Sequence, residues 1–268
     1  MKIYLVENID SDCLNELKKN HEITNIVEES DIVITRNLNI NKEFIDKAKC
    51  LKLIAIHGTG ISEVDIKYAK EKGITVFNTP YQNFESVAEY SIYLALQAAR
   101  KNKMEFYNKK ALVLGNGHIG KRVKEILQNG FLVDTDIYKR NDNIKEKVKG
   151  KDFIFICMSL NDDTYHFINK EILSSMKKGV ILINTARGKI VSEKDIIDAL
   201  NNNQILAYAT DVFEEEPVDR NNPLTKMDNV ISSPHIASNT KEALGNIGRL
   251  LVEEINLFLK GENPKNSL

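Results

Sequence analysis

Arg187, Glu216 and His235 are, in that order, a cation, a carboxylate and a titratable imidazole, and they follow a glycine loop, Gly115-Asn116-Gly117-His118-Ile119-Gly120. A guanidinium binds a carboxylate in a two-pronged fork and polarises a carbonyl beside it, which orients such a substrate for attack. An imidazole works near neutral pH, giving a proton to the carbonyl oxygen as charge develops there and taking one in the reverse direction. Glu216 beside His235 would favour the imidazolium and fix the ring's tautomer and orientation. Together with a dinucleotide seated on the loop, these groups suffice to move a hydride to or from a carboxylate-bearing carbonyl or alcohol.

The loop directly follows the apolar run Ala111-Leu112-Val113-Leu114 and opens a helix expected over Lys121 to Leu127, the context that a dinucleotide loop needs. Gly115 permits the tight turn, Gly117 lets backbone approach a pyrophosphate, and Gly120 lets helix and strand pack closely. His118 adds a hydrogen-bond donor for phosphate, and Ile119 completes the expected cofactor-binding run. An acidic residue at the end of the second strand should hold the adenosine ribose, and of Asp134 and Asp136 the expected one is Asp136. Lys139 and Arg140 follow closely and fit either a 2′-phosphate or solvated loop charge; NAD is favoured over NADP.

Short apolar runs alternate with amphipathic stretches along the whole chain, which predicts an α/β fold with mostly parallel sheets. Strands are expected at Ile3 to Val6, Ile32 to Ile34, Leu53 to Ile56 and Thr75 to Phe77, with helices at Phe44 to Ala48 and Val64 to Lys70. A long helix between Glu85 and Lys101, with Val87, Ser91, Leu94 and Ala98 at helical spacing, reads as a connector. Six further strands are expected at Ala111 to Leu114, Phe131 to Val133, Phe153 to Cys157, Val180 to Ile183, Leu206 to Thr210 and Val230 to Ser232, the Rossmann count. A last helix, Glu242 to Phe258, is long enough to run back onto the first part. With 268 residues, two unequal domains are the natural division.

Lys and Arg total 37 against 38 Asp and Glu, so no net field favours nucleic acid or an anionic membrane. Cys13, Cys50 and Cys157 are scattered, which argues against a disulfide framework or a zinc site. Cys157 ends an apolar strand and reads as a small buried hydrophobe. His21, His57 and His166 lack metal-ligand spacing, and no metal is expected. The opening Met-Lys-Ile-Tyr-Leu-Val-Glu has no signal-peptide core and no membrane-length apolar run occurs, so a reducing, cytoplasmic setting is expected.

Asn184-Thr185-Ala186-Arg187-Gly188, Asp211-Val212-Phe213-Glu214-Glu215-Glu216-Pro217 and Pro234-His235-Ile236-Ala237-Ser238 resemble the signature series of the D-isomer-specific 2-hydroxyacid dehydrogenases. Gly58-Thr59-Gly60 before Val64-Asp65, and Asn78-Thr79-Pro80 before Ser86-Val87-Ala88-Glu89, resemble motifs of that family's substrate domain. The resemblance implies a flavodoxin-like substrate domain over 1–82 and 240–268, and a Rossmann domain over 83–239. It implies NAD(P)-linked transfer of hydride to or from C2 of a small 2-oxo or 2-hydroxy acid, with Arg187, Glu216 and His235 catalytic. Asp211 would contact the nicotinamide carboxamide and Thr185 and Ala186 would line the cofactor cleft. Gly58, Thr59 and Gly60 would offer backbone N–H groups to the substrate carboxylate, as Arg187 offers its guanidinium. The substrate's side chain would meet loops near Arg36 to Leu38, Gly58 to Ile61 and Tyr81 to Phe84.

Two departures from the family pattern stand out. Only Lys101 to Lys110 fills the place of a long, aromatic-rich dimerisation arm, so the expected homodimer has a reduced or different interface. Ser159 stands where many relatives carry proline, which removes a rigid turn beside the adenine side of the cofactor site. Glu214 and Glu215 read as solvated charge. A rival reading is a dinucleotide-sensing, corepressor-like binding protein; another is a formate or phosphite dehydrogenase of similar architecture.

Overall fold

The computed structural model describes every residue from Met1 to Leu268. In chain order the elements are β1 (Lys2–Leu5), α1 (Ser11–Asn20), β2 (Glu22–Thr24), β3 (Ile32–Thr35), α2 (Lys42–Lys47), β4 (Leu53–Ile56), α3 (Ile66–Glu71) and β5 (Thr75–Asn78). There follow α4 (Phe84–Lys101), β6 (Lys110–Leu114), α5 (His118–Phe131), β7 (Asp134–Tyr138), α6 (Ile144–Lys147), β8 (Phe153–Ile156) and α7 (Lys170–Ser175). The rest are β9 (Val180–Asn184), α8 (Glu193–Asn201), β10 (Ile205–Thr210), β11 (Val230–Ser232) and α9 (Lys241–Leu259). They form two compact units, Met1–Asn83 with Asn239–Leu268, and Phe84–Ser238. No helix is long and apolar enough to cross a membrane.

In the first unit five parallel strands run β2-β1-β3-β4-β5, the flavodoxin-like order. β3 and β4 are buried along their whole length, as strands covered on both faces are. Ile32, Ile34, Leu53 and Ala55 pack with Leu17 of α1 and with Leu251 and Ile255 of α9. Their neighbours Val33, Ile54 and Ile56 turn to the other face, toward Ile45 and Ala69. The strand pattern alone names neither α1 nor β2. The helix is capped by Asp10, whose carboxylate accepts from the Asp12 and Cys13 N–H groups, while β2 is only three residues long, at the sheet edge.

The second unit holds six parallel strands in the order β11-β10-β9-β8-β6-β7. Period-two alternation splits its core cleanly. Ala111, Val113, Phe153, Phe155, Ile181 and Ile183 face α4 and α5, whereas Leu112, Leu114, Ile154, Ile156 and Leu182 face α7 and α8. β7 is the sheet edge, and the one-turn α6 leads from it to β8 on the other side of β6, so the direction of strand progression switches there.

The expected strand at Phe131 to Val133 is corrected. α5 runs through Phe131 and closes on Leu132, which is left-handed at φ 53, so the strand begins only at Asp134. Phe131 and Val133 are apolar for a packing reason. Phe131 meets Phe106 at 5.3 Å between ring centroids, and Phe106 in turn meets Phe153 at 4.6 Å. The short segment after α4 thus folds back onto its own unit through buried Phe106.

Candidate active site

Three strand ends of the second unit shape a cavity of about 670 Å³, lined by Gly115 to Gly117 after β6, Tyr138 to Arg140 at the end of β7, and Cys157 to Ser159 after β8. A crevice at strand carboxyl ends beside a topological switch is where doubly wound sheets take ligands. The glycines are demanded by contacts. At Gly115, whose φ is 122, an added Cβ would stand 2.6 Å from the Cys157 carbonyl oxygen, and at Gly120 it would stand 2.1 Å from that of Gly115. Gly117 differs, because a Cβ there meets nothing within 4 Å. It is the N-cap of α5 and supplies no side-chain acceptor, so the first-turn N–H groups are presented to an anion. These residues fit a dinucleotide pyrophosphate. His118 opens the helix with its ring 5.8 Å from that of Phe84, and Ile119 packs toward the core.

The cavity wall after β8 is stitched without proline. Asn161 Oδ1 accepts from the N–H groups of Asp163 and Thr164, and Thr164 Oγ1 donates to the Ser159 carbonyl at 2.7 Å. Burial pushes the Cys157 thiol up to about 12, so it is no nucleophile at neutral pH.

The other three strand ends carry Arg187, Glu216 and His235. Asn184, fully buried at the end of β9, accepts from Ala186 N–H through Oδ1 and donates from Nδ2 to the Arg187 carbonyl at 3.0 Å, which sets the turn that bears the guanidinium. After β10, Glu216 Oε1 accepts from Phe213 N–H at 3.0 Å and Oε2 meets His235 Nδ1 at 2.6 Å. Burial by itself would raise the Glu216 carboxyl. The hydrogen bond and charge of His235, the Phe213 N–H and the charge of Arg187 outweigh it, and the carboxyl is held below its usual range. Glu216 therefore stays ionised. With Nδ1 engaged, Nε2 is the ring atom left for proton exchange.

Asp211 holds the histidine loop. Its buried carboxylate accepts from Ser233 Oγ and the N–H groups of Ile236 and Ala237, at 2.6, 2.9 and 2.7 Å, and its carbonyl accepts from His235 N–H. The carboxylate expected at the nicotinamide thus also positions the His235 loop, with acceptor capacity remaining beyond its three hydrogen bonds. Thr185 is likewise fixed, its hydroxyl 2.6 Å from that of Ser91 on α4. Asp136 is not brought to the glycine loop. It lies mid-strand opposite Leu112 and pairs with Lys151 at 2.6 Å, because β7 extends two residues beyond it. In the first unit the Gly58 N–H donates to the Ile56 carbonyl, so Gly58 is not a free donor. Asn78 and Thr79 hold the carbonyls of Thr59 and Gly58 and shape the turn that continues to Gly60.

The NAD-binding-domain model of the D-isomer specific 2-hydroxyacid dehydrogenases matches residues 85–237, more than half of the chain. The chain belongs to this family. It is 35% identical to a D-3-phosphoglycerate dehydrogenase of Methanocaldococcus jannaschii over 91% of this chain and 53% of that one, so it spans about half of that relative's length. A hydroxypyruvate reductase of Thermotoga maritima is 33% identical, with 94% of this chain and 92% of that one covered. Among solved structures, an NAD-dependent formate dehydrogenase of Staphylococcus aureus in complex with NAD superposes with a TM-score of 0.90 at 25% identity, covering 100% and 98% of the two chains.

In this family member Glu214 is no solvated charge. Glu214 Oε1 accepts from Glu193 N–H at 2.6 Å while Glu193 Oε1 accepts from Glu214 N–H at 2.8 Å, and His166 Nε2 lies 3.2 Å from Glu214 Oε1. This reciprocal clasp ties the chain just after Arg187 to the chain just before Glu216. Glu214→Ala is expected to lower kcat about 10- to 100-fold by misaligning the two loops, with Glu214→Gln restoring most of it because an acceptor oxygen remains. Steady-state kinetics of both variants check this, and equal losses would assign the clasp to charge instead of position.

Proposed function

We propose that the protein is an NAD(P)-dependent oxidoreductase that moves a hydride between nicotinamide C4 and C2 of a small 2-oxo or D-2-hydroxy acid. The observation that carries this reading is the Glu216–His235 pair at 2.6 Å, in the same unit as a glycine loop that fits a dinucleotide. When bound, the nicotinamide supplies or accepts the hydride. Arg187 binds the substrate carboxylate and polarises the carbonyl, and His235 Nε2 gives the carbonyl oxygen its proton, or takes it back in oxidation. Ionised Glu216 holds the ring through Nδ1 and so fixes its orientation. The domain roles proposed with this are substrate binding for residues 1–82 and 240–268 and dinucleotide binding for 83–239. A homodimer with a reduced or different interface is proposed as the assembly, which light scattering checks.

Formate oxidation is less well supported by these residues. Formate gives up its hydride and becomes carbon dioxide with no substrate proton to move, so a carboxylate-backed histidine has no acid–base task there. The names of the curated relatives point the same way. The test is consumption of reduced dinucleotide with glyoxylate, hydroxypyruvate, pyruvate and phosphohydroxypyruvate, alongside the oxidised dinucleotide with formate and phosphite. Turnover of a 2-oxo acid is expected; turnover of formate or phosphite alone would overturn the reading.

A further inference from the structure

We propose that the adenosine end of this nucleotide site takes a 2′-phosphate, so that the protein binds NADP(H) more tightly than NAD(H). The inference rests on the dinucleotide reading above and concerns only the end of β7. A site for an unphosphorylated ribose places a carboxylate at that strand end to accept from the two hydroxyls, whereas a cation there receives a 2′-phosphate. Here the strand ends on Tyr138, and Lys139 and Arg140 follow it along the same cavity as Gly115 and Gly117.

Both acidic residues of the strand are elsewhere. Asp134 begins it and is exposed, and Asp136 is held by Lys151, a lysine only 8% exposed that would lose its counter-charge if Asp136 turned away. Tyr138 is partly buried, its ring 5.7 Å from that of Phe167, and offers no charge. The cations are set by a turn, since Lys139 N–H donates to Asp142 Oδ2 at 2.9 Å and fixes the chain as it leaves the strand. One carboxylate shares the cavity, Asp163, on the far wall after β8. It meets Arg140 at 3.7 Å with both side chains about 80% exposed, and so solvated a pair is weak enough for a phosphate dianion to displace. Two cations against one carboxylate suit a ligand with an added phosphate. An unphosphorylated ribose would leave Arg140 with only the exposed Asp163 as counter-charge.

Direct titration of the full chain with NADPH and NADH, followed by nucleotide fluorescence or calorimetry, tests this without any substrate. NADPH is expected to bind about tenfold or more tightly than NADH, with the gap narrowing as salt is added. Lys139→Ala with Arg140→Ala should weaken NADPH about tenfold and leave NADH within about twofold, because only the phosphate loses a partner. Asp136→Asn should lower the melting temperature through Lys151 and leave the NADPH to NADH ratio unchanged. NADH binding as tightly as NADPH, or equal losses of both nucleotides in the double variant, would overturn the proposal while sparing the dinucleotide reading. Binding of neither nucleotide by folded protein would overturn both.

Discussion

His235→Asn is expected to cut kcat/KM for a 2-oxo acid about 100- to 10,000-fold, the usual worth of a positioned acid–base group, with dinucleotide binding unchanged within about twofold. Asparagine is the informative replacement. His235 sits at φ 55, a left-handed conformation that asparagine tolerates better than most residues, so the loop keeps its shape while the proton donor goes. The loop is also held independently of the ring by three hydrogen bonds to the Asp211 carboxylate. Arg187→Ala should likewise lose turnover, and with it substrate affinity, because the carboxylate fork is gone. Neither residue lines the cavity at the glycine loop, so fluorescence titration with reduced dinucleotide should still report binding. Loss of dinucleotide binding in both variants would mean that these residues belong to the nucleotide site.

Gly188→Ala is expected to be severe for a different reason. A Cβ at residue 188 would stand 1.9 Å from both the carbonyl carbon and oxygen of Phe213 and 2.4 Å from the Glu214 nitrogen. All three are backbone atoms flanked by hydrogen bonds to Glu216 and Glu193, so none moves alone. The turn bearing Arg187 must separate from the turn bearing Glu216. Stability should fall by about 1–3 kcal/mol from overpacking. Turnover should fall by about 100-fold or more even where the protein remains folded, because the reacting groups no longer converge. Thermal melts with kinetics well below the transition check the two effects separately. Wild-type melting and turnover would show that these turns need not touch.

The placement of the candidate site residues was legible because it sits on local pattern. The glycine loop follows a strand whose four apolar residues are all buried, and Arg187, Glu216 and His235 each leave the carboxyl end of a neighbouring strand. Pairings between distant residues were not legible. Nothing near Asp136 in sequence announces Lys151, and that ion pair holds Asp136 in mid-strand, away from the glycine loop. The run Glu214-Glu215-Glu216 looks uniformly solvated, yet the first residue clasps Glu193, the second is exposed and the third holds His235. The start of β7 was misread because Phe131 and Val133 are apolar for tertiary reasons. They pack at the end of α5, where an apolar triplet after Gly130 mimics a strand.

Hydride transfer to C2 of a 2-oxo acid is tested most directly with reduced dinucleotide carrying deuterium at nicotinamide C4 on its reactive face, the product being analysed by mass spectrometry and chiral separation. One deuterium at C2 of a D-2-hydroxy acid is predicted for the wild-type protein, and a greatly diminished yield for His235→Asn. An unlabelled product, a product of the opposite configuration, or the same yield from His235→Asn would contradict the account.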